Sequence, residues 1–128
     1  MSGFLRFVVA DRDTQTGFRR GLIHAAERIQ WEFSAEENAR CEEIFAWFNK
    51  ELRVPPRLSR SGKPHATKVA LSWFRDSAET HIARMRELAA IVEMHDMPVA
   101  TLKTVRPGFV VYEDAFQVAA EPFADTPT

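Results

Sequence analysis

The stretch "VATLKTVRPGFVVYEDAFQVAA", residues 99–120, decides the fold class. Three runs within it are rich in β-branched and aromatic residues: 99–105, 109–112 and 116–120. Such residues are favoured in strands, so the stretch predicts three successive strands. Between the first two runs, Pro107 and Gly108 supply the fixed negative φ and the positive φ of a type II turn. The last third of the chain therefore predicts a sheet.

Three helices are predicted before this stretch. Apolar residues recur at steps of three and four along 18–31, 41–52 and 78–92, the spacing of one helical face. Ser34 and Glu37 precede the second helix at the spacing of a capping box, in which each side chain bonds the other's backbone N–H. Two prolines at 55–56 end that helix, because proline lacks the amide donor.

The remaining segments complete an α+β fold. "FLRFVVA", residues 4–10, alternates partly and predicts a strand, whereas "VALSWF", residues 69–74, fits a short strand or a helical turn equally well. The order is β-α-α-loop-α-β-β-β. We expect a single domain over residues 1–122, followed by a frayed tail at 123–128. Its sheet should have three to four strands, mainly antiparallel, with the helices packed on one face.

Composition is that of an ordinary soluble domain. Of 128 residues, 45% are hydrophobic and 27% are charged, with a net charge of −1. The only cysteine, Cys41, falls at an apolar helical position, which predicts a small core residue rather than a nucleophile. The N-terminal apolar run is too short for a signal peptide, and no apolar segment approaches the roughly 20 residues that span a bilayer. We therefore expect a cytoplasmic protein that does not enter a membrane.

Positive charge is concentrated in one segment, "RVPPRLSRSGKPHATKVALSWFR", residues 53–75, which we call the basic segment. It holds six Lys or Arg and no Asp or Glu, so it carries +6 and the rest of the chain −7, which sum to −1. Such a patch attracts anions even when the net charge is near zero. The expected ligand-binding residues, with the tryptophan offering a stacking face, are Arg57, Arg60, Lys63, His65, Lys68, Trp73 and Arg75.

A purely structural interpretation of the basic segment stays open. Loops are polar, and these charges are then solvated, or paired with the acidic second helix and its residues Glu36, Glu37, Glu42, Glu43 and Glu51. "SGK" at 61–63 is not a phosphate loop, because Arg57 occupies the required glycine position and Pro64 replaces the Mg²⁺-binding hydroxyl. The four histidines show no ligand spacing, so neither a metal nor a cofactor is expected.

Aromatic residues are the other unusual feature. The chain has ten Phe and three Trp, which is many for its length. Trp31 and Trp47 are the expected interface residues of a homodimer or of a contact with another protein, and the alternative is a core that is slightly rich in aromatic residues. Near the C-terminus, "YEDAF" groups Tyr112 with Asp114, for which turn chemistry is a better explanation than acid/base catalysis.

Three functions follow, in order of preference. The first is a small non-enzymatic binding or regulatory module that uses the basic segment to contact an anionic partner: nucleic acid, a nucleotide-like ligand or an acidic protein. The second is a protein-interaction or inhibitor protein that acts through its acidic, aromatic second helix. The third is a small enzyme with an unrecognised site near His65, Tyr112 and Asp114. Because no catalytic signature is present, the sequence favours the first.

Overall fold

The computed structural model describes residues 3–54 and 69–128 and has the predicted α+β composition. Its helices are α1 (Leu22–Ile29), α2 (Ala35–Glu51) and α3 (Glu79–Glu93), with a 3₁₀ turn at Gln30–Glu32. Its strands are β1 (Phe4–Arg12), β2 (Arg19–Gly21), β3 (Leu71–Arg75), β4 (Val99–Thr104), β5 (Phe109–Glu113) and β6 (Gln117–Glu121). In the part of the chain described, no helix is long and apolar enough to cross a membrane.

The sheet has six strands, in the order β2-β1-β3-β6-β5, with β4 pairing with β1 outside this path. The pairs β1–β2, β1–β3, β3–β6 and β5–β6 are antiparallel. Two strands lie outside the predicted set. Residues 69–74, which the sequence left undecided, contribute β3, which is paired on both sides. β2 occupies positions predicted to be helical, because the segment pairs with β1 through Val8 and Gly21.

The chain forms two compact units. The first, which we call the sheet unit, comprises the described residues 3–6, 54, 69–79 and 102–128. The second, the helix unit, comprises residues 7–53 and 80–101. The expectation of a single domain over 1–122 stays a prediction.

In the sheet unit, Gly108 before β5 has the positive φ that was predicted, but residues 106–108 do not form the predicted type II turn, and β4 pairs with β1 instead of with β5. Pro107 is buried, and Gly108 has a φ of +135°. A Cβ at Gly108 would lie 1.9 Å from the carbonyl oxygen of Glu121, so only glycine fits. The tail forms a turn in which the Phe123 N–H donates to Thr126 Oγ1 at 2.9 Å, with Thr126 buried. The expectation that residues 123–128 are frayed stays a prediction.

In the helix unit, each helix buries one apolar stripe. The buried residues of α1 and α2 are Leu22, Ala25, Ala26, Cys41, Ile44 and Phe48, and those of α3 include Ile82, Met85, Leu88 and Val92. The predicted capping box is present: the Glu37 N–H donates to Ser34 Oγ at 3.1 Å, and the Ser34 N–H donates to Glu37 Oε1 at 2.9 Å. The first N–H groups of a helix have no partner within the helix, and the capping box supplies acceptors for two of those at the start of α2. This explains why the helix begins at Ala35.

Candidate functional site

Five of the seven residues expected to bind a ligand lie outside the described residues: Arg57, Arg60, Lys63, His65 and Lys68. The other two, Trp73 and Arg75, are in β3. Of the seven expected ligand-binding residues, the structure therefore describes only these two, and both belong to the sheet unit.

Trp73 is part of the core of the sheet unit. It lies opposite Val118 of β6, and only 1% of its surface is exposed. A ring enclosed to this degree has no free face on which a base could stack. The stacking role expected for Trp73 is therefore replaced by packing. Its indole Nε1 is buried without a hydrogen-bond acceptor among the described residues, which is a cost to the folded state.

Arg75 is paired within the sheet unit. Its Nε donates to the carbonyl oxygen of Asp114 at 2.8 Å, and its Nη2 lies 3.6 Å from Glu113 Oε2. The guanidinium carbon is also 5.9 Å from the ring centroid of Phe4. Because the charge already has an acidic neighbour and a carbonyl acceptor, Arg75 stabilises the connection between β5 and β6. Its expected role in ligand binding is correspondingly weakened.

Asp114 closes the turn between β5 and β6. Its Oδ1 accepts from the N–H groups of Phe116 at 2.9 Å and Gln117 at 3.0 Å. Its Oδ2 accepts from the Tyr112 hydroxyl at 2.8 Å and from Gln117 Nε2 at 3.2 Å. Partial burial alone would raise the pKa of Asp114, but these hydrogen bonds lower it below its ordinary value.

A carboxylate in this state is a weak general base, because its protonated form is disfavoured and its lone pairs are occupied. The structure does bring Tyr112 and Asp114 together, as the enzyme hypothesis requires. Their geometry is that of an aspartate-locked turn, which is the interpretation that the sequence favours. The third member of that hypothesis, His65, lies outside the described residues.

Trp47, one of the two expected interface residues, is used largely in packing between α2 and α3. Its ring meets the His81 ring edge-on, with the centroids 4.8 Å apart, and the guanidinium carbon of Arg84 lies 5.6 Å from the Trp47 ring centroid. His81 is itself buried, with its Nε2 3.0 Å from the carbonyl oxygen of Glu51 at the end of α2. Trp47 is therefore half-buried, and a partner would reach only its outer edge.

Trp31, the other expected interface residue, is the most exposed large apolar side chain of those described, at 82%. It lies in the 3₁₀ turn between α1 and α2, which is hydrogen-bonded to α2 through the Gln30 side chain and is closed by one backbone bond. Gln30 Nε2 donates to Asn38 Oδ1 at 2.7 Å and to the Glu42 carboxylate, and the Phe33 N–H donates to the Gln30 carbonyl at 3.1 Å. Trp31 is thus presented to solvent from an ordered support.

Some acidic residues of α2 already have partners within the helix unit. Glu37 lies 3.0 Å from His95 Nε2, and its pKa is lowered by the hydrogen bond from the Ser34 N–H and then by His95. Arg40 bridges Glu43, at 2.8 Å, and the Glu87 carboxylate. Pairing between α2 and residues 55–68 lies outside what the structure describes, so that alternative stays a prediction.

Among the described residues, Cys41 is not a reactive thiol, and the His, Cys, Asp and Glu side chains do not form a metal site. Cys41 is fully buried, and burial, followed by the charges of Glu42 and Glu27, raises the pKa of its thiol to about 11. The thiol is therefore protonated at neutral pH, as expected of a core residue. Within residues 3–54 and 69–128, no three His, Cys, Asp or Glu side chains are grouped so that they could hold a metal ion.

Two features of the sheet unit have no counterpart in the sequence prediction. Glu121 is 92% buried, since only 8% is exposed, and its Oε1 has no hydrogen-bond partner among the described residues. Opposite it in β5 lies Phe109, which is 42% exposed. A glutamate at the end of a strand usually indicates a solvated position, so no sequence signal distinguishes this one.

Comparison with known proteins finds no matching family model, no matching curated protein and no matching solved structure. The functional conclusion must therefore come from this chain's own residues. The described part of the chain offers an exposed tryptophan at 31 and an apolar strand, β5, and the sequence adds the basic segment.

Proposed function

We propose that this chain is a non-enzymatic binding module in which the basic segment contacts an anionic partner. One observation carries the proposal: residues 53–75 hold +6 without a single carboxylate, against −7 in the rest of the chain. Charge separated in this way focuses the field on one region and raises the local concentration of anions. Nucleic acid, a nucleotide-like ligand and an acidic protein are the partner classes that this chemistry fits.

The contacts of β3 reduce the set of basic-segment residues that are available to bind a partner. Trp73 and Arg75 are used inside the sheet unit, which leaves Arg57, Arg60, Lys63, Lys68 and His65 for the partner. Four of these five carry a permanent positive charge. These five residues lie between α2, which ends at Glu51, and β3, which begins at Leu71. The segment that contains them is therefore attached to a helix at one end and to a strand at the other.

The test compares two variants that lose the same charge in different places. One carries Arg57→Ala, Arg60→Ala and Lys63→Ala in the basic segment. The control carries Ala at three exposed cations elsewhere: Arg28, Arg86 and Lys103. Binding is measured by fluorescence anisotropy to a labelled single-stranded oligonucleotide, to labelled ATP and to labelled poly-glutamate.

We expect the basic-segment variant to lose at least about tenfold in affinity for one of these probes, because each charge-assisted hydrogen bond contributes about 1.5–3 kcal/mol. The control should bind within about twofold of the wild type, since only the long-range field changes. Equal losses in the two variants would show that net charge alone is responsible. A wild type that binds none of the three probes would also contradict the proposal.

Recognition of another protein through Trp31 is a second candidate, and the 82% exposure of that ring on an ordered turn favours it. Tryptophan is among the residues that contribute most to protein interfaces, and an ordered support reduces the entropy lost on binding. The test is affinity purification with Trp31→Ala and, as a control, Met94→Ala, which removes another apolar side chain that is 77% exposed. A protein whose recovery falls equally in both variants would not be bound through Trp31.

A further inference from the structure

One histidine ties the turn after α3 to the start of α2. His95 lies two residues beyond the end of α3, and its Nε2 is 3.0 Å from Glu37 Oε1 and 3.1 Å from Glu37 Oε2. Glu37 is also the capping-box residue whose Oε1 accepts the Ser34 N–H. A single carboxylate therefore closes the first turn of α2 and holds a side chain that is 58 positions away in sequence.

The contact of His95 extends to the segment that leads into α2. Its ring lies against the ring of Phe33, with the centroids 4.9 Å apart. The Phe33 N–H closes the 3₁₀ turn that presents Trp31, through its bond to the Gln30 carbonyl. His95 is thus in contact with both the first turn of α2 and the residue that ends the Trp31 turn, all within the helix unit. The side chains of His95 and Glu37 are only 17% and 27% exposed, so salt screens their attraction less than that of a fully exposed pair.

The strength of this contact depends on the charge of the histidine ring. Histidine is the side chain that ordinarily changes charge between about pH 5 and 8. A neutral ring can donate to Glu37 only as the tautomer that carries its proton on Nε2. A protonated ring donates from the same atom and adds the attraction between a full positive charge and the carboxylate.

We propose that His95 is a pH-sensitive latch. In its protonated state it holds the start of α2 and the Trp31 turn to the end of α3, and loss of the proton weakens both attachments. The inference goes beyond the proposed anion binding and does not depend on the basic segment. It gives the helix unit a region that becomes more rigid in mildly acidic solution.

The charged groups around His95 favour its protonated form. Among the described residues, Glu37 is the group that forms an ion pair with it. Arg40, the one Lys or Arg in residues 30–40 and 92–97, is already bound to the carboxylates of Glu43 and Glu87. The C-terminal end of the α3 dipole also favours a cation, whereas the N-terminal end of the α2 dipole opposes one, and Glu37 lies at that end. The other charged groups of these two segments are all acidic: Glu32, Glu36, Glu93 and Asp96.

The latch requires both of its partners to be charged. The hydrogen bond from the Ser34 N–H, and then His95, lower the pKa of Glu37, so this carboxylate is ionised above about pH 4. The contribution of the protonated ring is present at low pH and is lost as the pH rises through the titration of the histidine. The pair is therefore strongest between these two titrations and weaker on either side of them.

Glu37→Gln separates the latch from the helix cap, because glutamine also accepts the Ser34 N–H in a capping box but carries no charge. Urea unfolding gives the ratio of the unfolding equilibrium constant of this variant to that of the wild type, at about pH 5 and about pH 8. We expect the ratio to be roughly threefold higher at the lower pH, as for an ion pair of ordinary strength.

Two histidine variants provide the controls for this comparison. In a His95→Gln background the ratio should be the same at both pH values, because the titrating ring has been removed. In a His24→Gln background, which removes an exposed histidine of α1, the difference between the two pH values should persist. A ratio that does not change with pH in the wild-type background, or a change that persists without His95, would overturn the proposal.

Amide hydrogen exchange of the wild type tests the latch without any variant. The N–H groups of Glu37 and Asn38 donate to Ser34 Oγ and to the Ser34 carbonyl at the start of α2. After correction for intrinsic exchange, their protection should be about threefold greater at about pH 5 than at about pH 8. The Leu52 N–H, which donates to the Phe48 carbonyl at the other end of α2, should show no such change. Equal changes at the two ends, or none at the start, would overturn the latch. Anion binding has its own readout, so the two proposals succeed or fail separately.

Discussion

Three glycines provide a graded test of the backbone conformation, with Gly108, next to β5, as the most demanding position. Gly108 combines a φ of +135° with a position where an added Cβ would be 1.9 Å from the Glu121 carbonyl oxygen and 2.9 Å from the Cα of Pro122. Gly17 has a φ of +74° with open space around it, and Gly21 has open space and an ordinary φ of −64°. The series Gly21→Ala, Gly17→Ala and Gly108→Ala therefore adds first backbone strain and then steric overlap.

The expected costs follow from these two contributions. Gly21→Ala should change the free energy of unfolding by less than about 1 kcal/mol, because the loss of a preferred N-cap residue offsets the entropic gain. Gly17→Ala should cost about 1–2 kcal/mol, the strain of a left-handed residue with a Cβ. Gly108→Ala should cost roughly 3–5 kcal/mol, since strain of about 1–3 kcal/mol adds to an overlap that only a backbone shift relieves.

Urea unfolding followed by circular dichroism, at one fixed protein concentration, measures these differences. For a chain of this size, the Gly108→Ala cost corresponds to a fall in Tm of roughly 10–20 °C. If Gly108→Ala were as stable as Gly21→Ala, the close approach of Gly108 to Glu121, and with it the position of β5 beside β6, would be incorrect.

Three further predictions concern single side chains. Asp114→Ala should destabilise the protein by about 1–3 kcal/mol in chemical unfolding, because it leaves several donors of the turn without their acceptor, whereas the exposed control Asp125→Ala should have little effect. The folded-state pKa values of Asp114, Glu37 and Asp13 are all lowered, so their contribution is complete above the unfolded pKa near 4 and is lost as pH falls further. Thermal unfolding should therefore show Tm decreasing steeply below about pH 4; a flat profile there would contradict the three carboxylate assignments. Cys41 should not react with a thiol reagent in the native protein and should react promptly in urea, since its thiol is buried with its pKa raised to about 11.

Local signals predicted the elements that local chemistry determines. Ser34 and Glu37 form the capping box that starts α2, and Gly108 has the positive φ that its place in the sequence requires. The capping box depends on residues three positions apart, so the local sequence contains all the information needed for it, whereas the close approach of Gly108 to Glu121 depends on the pairing of β5 with β6. The strand runs near 99–105 and 109–112 are also observed, as β4 and β5.

Elements that depend on distant partners were not predictable in this way. Arg19–Gly21 has no strand pattern and becomes β2 only because β1 lies beside it. The segment after Lys68 had two equal interpretations, and its pairing with β1 and β6 selects the strand.

In the candidate site, too, the sequence predicts what depends on local composition and does not predict what depends on distant residues. The sequence identified a concentration of charge, and that observation holds without coordinates. It could not show that Arg75 is bound to the carbonyl of a residue 39 positions away, or that Trp73 is buried in the core of the sheet unit. The partial burial of Trp47 likewise follows from its contacts with His81 and Arg84 of α3, which the spacing of apolar residues does not specify.

The salt dependence of binding tests the central claim most directly. For a single-stranded oligonucleotide, the logarithm of the affinity falls with the logarithm of salt concentration by about 0.7 for each neutralised phosphate. If Arg57, Arg60 and Lys63 contact the backbone, replacing all three with alanine should flatten this slope by about 2, whereas the control at Arg28, Arg86 and Lys103 should leave it unchanged. Equal slopes for the wild type and the basic-segment variant would show that these residues do not contact the polyanion, and would contradict the proposed function for nucleic acid.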